Sequence, residues 1–584
     1  MLNSAIKYGV TLILLERPHM QSHLDNSEPR DRQQQPARAE YTLGSFEPAV
    51  RTRLARWTAE KAAERIWLRD YTFWMTRHVP ELTDRLGWLY LPETMQPEIQ
   101  DAQAFASEMR HEGFTNAVLL GMGGSSLAPE VYQAVFGNRP GFPRLLVLDS
   151  THPGAVAALE NQIDLAHTLF IVASKSGTTV ETLSFFNYFY KRVSDAADEP
   201  GSNFVAITDP GSHLEQLAAD RGFRRTFHTP PDVGGRYSAL SHFGLVPAAL
   251  IGMDVAGYLE RARVMANRCR IGDAEANPGL MLGAVLGELA TAGRDKVTFF
   301  TTPSLAAFPK WLEQLVAEST GKQGKGIVPI VNEPAGEPDS YGKDRVFVSI
   351  SLRDEADSRI DGLLDVLMQN GHPVLRFVLG DKTGLAGEMF RWEMAVAAAG
   401  AVLGINPFDQ PDVQKAKAFA KQAVAHKADR AGVQSDILPM TADTELSRGL
   451  KQLFASVKPG DYLALQAFIA PTPASDDTIA AIRTSIRDLY RVATAAGYGP
   501  GFLHSTGQLH KGGPDTGLFL QVVDTPARDM DVPETDYTFA RLISAQAQGD
   551  YMALHPPRRI IRVDLGADAP AGLALLAKVI DTLP

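Results

Sequence analysis

TLFIVASKSGTTVET, residues 168–182, passes from an unbroken apolar run into a lysine set among small hydroxyl residues and a glycine, and then into a helix-forming segment. An apolar run without polar alternation suits a strand buried on both faces, the condition of a parallel sheet covered by helices. The turn after it then lies at the carboxyl end of the strand, where open α/β sheets bind their ligands. Outward from this stretch the pattern recurs. NAVLLGMGGSS (116–126), RLLVLDST (144–151) and NFVAITDPGS (203–212) are apolar runs ending in Gly, Ser, Thr or Asp. Helix-length segments such as LAPEVYQAVFG (127–137) and TVETLSFFNYFYKRV (179–193) separate them. Strands alternating with helices predict a doubly wound α/β domain.

A second set of runs follows: KVTFFTT (296–302), GIVPIVN (326–332), DRVFVSISL (344–352) and PVLRFVLG (373–380). After a long helical stretch come DYLALQAFI (461–469), TGLFLQVVD (516–524) and RRIIRVDLG (558–566). A chain of 584 residues exceeds what one hydrophobic core usually serves. The expected organisation is a disordered tail over 1–40, a first α/β domain with N-terminal helices over 41–270, and a second over 271–430. The segment 431–584 is expected to supply strands that complete the second domain's sheet. YGVTLILL (8–15) is too short to span a bilayer and lacks a small-residue cleavage pattern after it. HLDNSEPRDRQQQPARAE (23–40) is too polar to bury a core.

Composition narrows the function classes. A net charge of −11 argues against a nucleic-acid-binding surface, so any anionic ligand must be held by a local arrangement. The single cysteine, Cys269, excludes an internal disulfide and a cysteine-based metal cluster, and points to a reducing cytoplasm. No cofactor and no catalytic metal are expected, and no membrane partner.

The turn at 174–179 has the chemistry of an anion cradle. Gly177 permits close approach, Lys175 carries positive charge, Ser174, Ser176, Thr178 and Thr179 bring hydroxyl donors, and a helix N-terminus follows. GMGGSS (121–126) occupies the same place after another strand. It is neither a dinucleotide fingerprint, since position 126 is Ser, nor a P-loop, since no GK[ST] follows. Two hydroxyl-rich turns on one sheet suit a phosphate monoester without a nucleotide, which makes a sugar phosphate the leading ligand.

Together GMGGSSLAPE (121–130), SKSGTTVET (174–182), GGRYSALSHFGL (234–245), ESTGK (318–322) and NPFDQPDVQKAK (406–417) resemble the phosphoglucose isomerase family. The resemblance runs from about residue 45 to about 425. It implies two doubly wound parallel-sheet sugar-isomerase domains in three α-β-α layers, a homodimer, and interconversion of glucose 6-phosphate and fructose 6-phosphate through ring opening and an enediolate. Carried over by position, Gly124, Ser125, Ser174, Lys175, Ser176, Thr178, Thr179, Gln314 and Gln410 bind the substrate. Glu318 is the proton shuttle, Arg236 stands beside the reacting carbons, and Lys417 lies near the ring oxygen. A carboxylate can take a proton from one carbon and return it to the next, and a fixed guanidinium stabilises the enediolate between.

The histidine departs from the family pattern. The Gly-Gln-His segment expected between the glutamate and lysine motifs is missing there, and His372 in QNGHPVL (369–375) is a poor match. TGQLHKG (506–512) resembles that segment displaced toward the C-terminus, an order similar to the isomerase part of bacterial transaldolase and phosphoglucose isomerase fusions. His510 is then the first candidate for ring opening and His504 the second. A dual phosphoglucose and phosphomannose isomerase and a non-catalytic sugar-phosphate sensor are the alternatives.

Overall fold

The structure, a computed structural model, describes residues 12–13, 38–413, 437–440 and 443–583. Three sheets organise them. The first is wholly parallel, in the order Arg144–Leu148, Asn116–Gly121, Thr168–Ala173, Phe204–Thr208, Arg225–His228. Its strands read as continuous apolar runs because both faces are covered. Leu119, Ile171 and Val205 join the core shared with the second sheet, whereas Val118, Phe170, Val172 and Ala206 pack with Phe185, Phe186 and Phe189 of helix Val180–Ser194. Successive residues thus point to opposite faces, as the strand period of two requires.

In the second sheet Val374–Leu379, Arg345–Leu352, Lys296–Thr301 and Val328–Ile330 are parallel. Arg38–Thr42 adds to its edge antiparallel, and Leu12–Ile13 pairs with that strand. Residues 38–40, read from sequence as the end of a tail, are therefore sheet; the rest of that tail, apart from residues 12–13, lies outside the described residues. Helices Pro278–Thr291 and Leu385–Leu403 supply much of the core between the first two sheets. These α/β layers are the two doubly wound domains expected from the sequence.

The C-terminal strands do not complete the second sheet. Ile437–Pro439, Arg559–Asp564, Gly517–Val523, Tyr462–Phe468 and Ala493–Tyr498 pair only with one another, all parallel, in a third sheet. The edge they were expected to extend, Val328–Ile330, is three residues long with Pro329 at its centre, which lacks a ladder donor. Side chains make the junction instead. Val328 and Ile330 share an apolar cluster with Tyr462, Ala464, Ala493 and Ala495. Arg483 donates to the carbonyls of Asn332 and Val331 on one side and Thr494 on the other. Glu333 Oε1 accepts from the Thr494 N–H and hydroxyl, each at 2.8 Å.

The carboxyl ends of the first and third sheets converge on one region. His152, just beyond Arg144–Leu148, sets Nε2 3.2 Å from both carboxyl oxygens of Asp524, just beyond Gly517–Val523. Among the described residues no helix is long and apolar enough to cross a membrane.

Candidate active site

The two hydroxyl-rich turns lie where the sequence puts them. GMGGSS forms a short 3-10 turn, Gly123–Ser125, that enters helix Leu127–Phe136. Gly124 lies against the Gly235–Tyr237 turn so closely that a Cβ on it would sit 2.1 Å from the Gly235 carbonyl oxygen. Gly177 has φ +70°, and a Cβ there would stand 2.2 Å from the Leu214 nitrogen. In the second turn Ser174 Oγ accepts from the Gly177 N–H and bonds the Thr179 hydroxyl at 3.0 Å, while the Ser176 and Thr178 hydroxyls bond each other at 2.9 Å. Thr179 is the N-cap of Val180–Ser194 but makes no side-chain cap bond. The helix's first amides are thereby left without that partner, and its dipole favours an anion there.

Lys175, expected from sequence to supply positive charge to the cradle, is paired within the protein. Its ammonium bonds the Asp209 carboxylate and donates to the Pro231 carbonyl at 3.1 Å. Burial is the main influence that lowers its pKa, with Asp209 opposing. Its charge is already compensated, so the cradle's attraction for an anion rests chiefly on hydroxyls and helix amides.

Glu318 and Gln314 lie one turn apart on helix Phe308–Thr320, whose apolar side enters both the shared core and the C-terminal cluster. Gln314 Nε2 donates to Glu318 Oε2 at 3.1 Å and to the His504 carbonyl at 2.8 Å. The other oxygen, Glu318 Oε1, stands 3.0 Å from Arg236 Nη1. Arg236 is buried and saturated: Nε donates to Ser319, Nη1 to Gln410 Oε1, and Nη2 to the carbonyls of Pro407 and Asp409, all within 3.0 Å. Arg236, Glu318, Gln314 and Gln410 are thus brought together. Lys417 lies outside the described residues.

Of the two histidines, His504 reaches this cluster. It follows strand Ala493–Tyr498 in the C-terminal sheet, and its carbonyl and Cβ would stand 2.8 and 2.9 Å from a Cβ on Gly123. Its Nε2 lies 3.1 Å from Glu181 Oε1. An ionised carboxylate only accepts, which makes Nε2 the donor in this bond. His510, the first choice from sequence, is buried beside the rings of Tyr462, Phe502 and Phe519 and bonds Gln466 Nε2 at 3.3 Å. Burial, then Lys511 and Arg558, hold its pKa well below the ordinary histidine value. The displaced segment reaches the site through its preceding loop and also through its helix, whose Gln508 donates to the Gly321 carbonyl at 2.9 Å and to Asp412 Oδ2 at 2.7 Å.

Sequence reasoning missed the residues that join these parts. Glu181, in the first turn after the cradle, also accepts from Gln546 Nε2 at 2.7 Å, and Gln546 Oε1 accepts from the Thr151 hydroxyl at 2.7 Å. Glu181 was visible in SKSGTTVET as a helix-start carboxylate; Gln546, in FARLISAQAQGDYMAL, carries no sequence signal. The resulting path runs from the cradle helix through His504 and Gln314 to Glu318 and Arg236, with contributions from all three sheets' domains.

Comparison with known proteins identifies the family. The family model described as phosphoglucose isomerase matches residues 104–340, which include both turns, Arg236 and Glu318. Glucose-6-phosphate isomerase of Rubrobacter xylanophilus is 30% identical over 388 residues, covering 58% of this chain and 88% of that protein. Among solved structures, a hypothetical protein of Thermus thermophilus superposes with a TM-score of 0.57 at 25% identity, covering 65% of this chain and 98% of its own. A glucose-6-phosphate isomerase of Chlamydia trachomatis shares the fold with a TM-score of 0.50 at 22% identity, over 62% of this chain and 78% of its own. On its sequence and its fold, the chain belongs to the phosphoglucose isomerase family.

Proposed function

We propose that the protein interconverts glucose 6-phosphate and fructose 6-phosphate. The observation that carries this is the hydrogen-bonded path from the cradle helix to Glu318, which sets an anion site, a histidine and a carboxylate in fixed relation. The phosphate sits on the hydroxyls of Ser174, Ser176, Thr178 and Thr179 and the first amides of Val180–Ser194, with the backbone of Gly124 and Ser125 beside them. His504, its Nε2 proton held by Glu181, exchanges a proton at the ring oxygen through Nδ1 and opens the ring. Lys417 assists there. Glu318 then takes the proton from one of C1 and C2 and returns it to the other. Arg236, already fixed by its own hydrogen bonds, meets the enediolate charge without solvent reorganisation. Gln314 holds Glu318 and the His504 loop at one spacing, and Gln410 holds Arg236.

The test is steady-state conversion of fructose 6-phosphate, with solvent-hydrogen exchange at C1 and C2, by the wild type and two variants. Glu318→Gln is expected to lose about 10²–10⁴-fold in kcat, the usual worth of a positioned general base, with its melting temperature kept. His504→Asn should lose activity on the cyclic sugar, whereas His510→Asn should lose less. Full turnover in Glu318→Gln would sink the mechanism, and full turnover in His504→Asn would return the ring-opening role to another group.

A further inference from the structure

Glu318 is followed four residues later by Lys322, which no step above uses. Its ammonium is buried, with a side chain 1% exposed, just past the end of helix Phe308–Thr320. It donates to the Asp409 carbonyl at 2.5 Å and to Asp409 Oδ1 at 2.8 Å. The same carbonyl accepts from Arg236 Nη2 at 3.0 Å. Two cations therefore converge on one backbone oxygen.

That convergence matters because of where Arg236 is anchored. Its bonds to the Pro407 carbonyl, the Asp409 carbonyl and Gln410 Oε1 all go to the loop 406–410. The guanidinium can stand no better defined than that loop does. Asn406 ties the loop's start to the Pro80 carbonyl at 3.2 Å, and Phe408 packs on Trp74 and Tyr237. At Asp409 the tie to the glutamate helix is Lys322. We propose that Lys322 is a positioning residue: by fastening the loop 406–410 to the end of the Glu318 helix, it holds Arg236 at its 3.0 Å contact with the carboxylate.

This rests on the isomerase reading, in which Arg236 and Glu318 act on the sugar. The electrostatics agree with it. Burial, foremost, and Arg236 lower the Lys322 pKa to about 8, against Asp409 and Glu318, which raise it. Those three are the charged groups that face it, from the Gly235–Tyr237 turn, from the loop and from its own helix. Loss of its charge at alkaline pH weakens the tie to Asp409 and loosens the loop.

The experiment compares kinetics, melting temperature and hydrogen exchange of the wild type with Lys322→Met, Lys322→Arg, Asp409→Asn and the double variant Lys322→Met/Asp409→Asn. Lys322→Met should lose roughly 10–100-fold in kcat, as expected of a misplacement of about 1 Å, with KM changed far less. Asp409→Asn should lose less than Lys322→Met, and the double variant no more than Lys322→Met alone, because both cut one tie. Lys322→Arg should restore most of kcat and move the alkaline limb of the pH profile upward, since a guanidinium does not titrate there. Exchange over 405–413 should rise in Lys322→Met. Wild-type kcat in Lys322→Met, with or without a lower melting temperature, overturns the proposal, and so does an unmoved alkaline limb in Lys322→Arg. Wild-type exchange over the loop overturns it independently of turnover. A wild type that turns over no sugar phosphate fails the isomerase reading itself, a result none of the variants can mimic.

Discussion

Every N–H of Arg236 already has a protein partner, which fixes the guanidinium; in the proposed mechanism it meets developing charge without moving. The opposite condition holds at Glu313, beside Gln314 on the same helix. Burial raises its carboxyl from 4.5 to about 7, and Arg483 and Lys310 oppose this without cancelling it. Unfolded, the group ionises near the lower value, so between about pH 4.5 and 7 the folded chain retains a proton that the unfolded chain has released. Stability from this residue therefore falls as pH rises through that window. Glu313→Gln is expected to melt higher than the wild type at pH 8 and at the same temperature near pH 4.5. Thermal melts across that range check it, and a variant less stable than wild type at pH 8 would reverse the sign.

At the scale of elements, two turns and one helix start build the proposed phosphate site, and each depends on a close backbone approach. The contact of Gly124 with the Gly235 carbonyl couples the GMGGSS turn to the turn that carries Arg236. Gly124→Ala must push the two apart by about 1 Å, and a shift of that size costs roughly 10²-fold in kcat/KM. Kinetics together with a melting curve separate this from unfolding: the expected result is a folded protein with a large loss of kcat/KM. Both turns were legible in sequence because two hydroxyl-rich segments follow apolar runs of one sheet, although either alone reads as an ordinary capped helix start. The histidine proposed for ring opening was not. TGQLHKG draws attention to His510, yet in the helix 507–512 it is Gln508 that bonds the end of the Glu318 helix, while His510 is buried beside Gln466 of the C-terminal sheet. Motif likeness identified the segment; which side chain faced the junction followed from how that segment packs.

Over the whole molecule the C-terminal sheet is a third body that delivers His504 and Gln546 to a site otherwise made by the first two domains. Arg483 is a buried polar tie to the second domain, bonding the Asn332 and Val331 carbonyls across the junction and the Thr494 carbonyl of its own sheet. Its pKa is lowered to about 10, with burial the chief cause. Arg483→Met leaves those carbonyls unpaired and is expected to lower stability by about 2–4 kcal/mol. It should also cost activity, since the docking that places His504 is loosened. Denaturant melts and limited proteolysis of the junction would read it, and wild-type behaviour in both would show that the apolar cluster alone holds the domains.

The sequence by itself determined the parallel α/β architecture and the place of the two hydroxyl-rich turns, because each follows from local pattern, whereas Glu318, Arg236, Gln314 and Gln410 were singled out by resemblance to the phosphoglucose isomerase family. Tertiary structure alone decided that the C-terminal strands form their own sheet, that Lys175 is neutralised by Asp209, that His504 rather than His510 faces Gln314, and that Glu181, Gln546 and Lys322 join the site. The physical reason is the same in each case. Strand pairing, charge compensation and side-chain reach depend on what lies opposite in space, often hundreds of residues away, and local sequence carries no record of that partner.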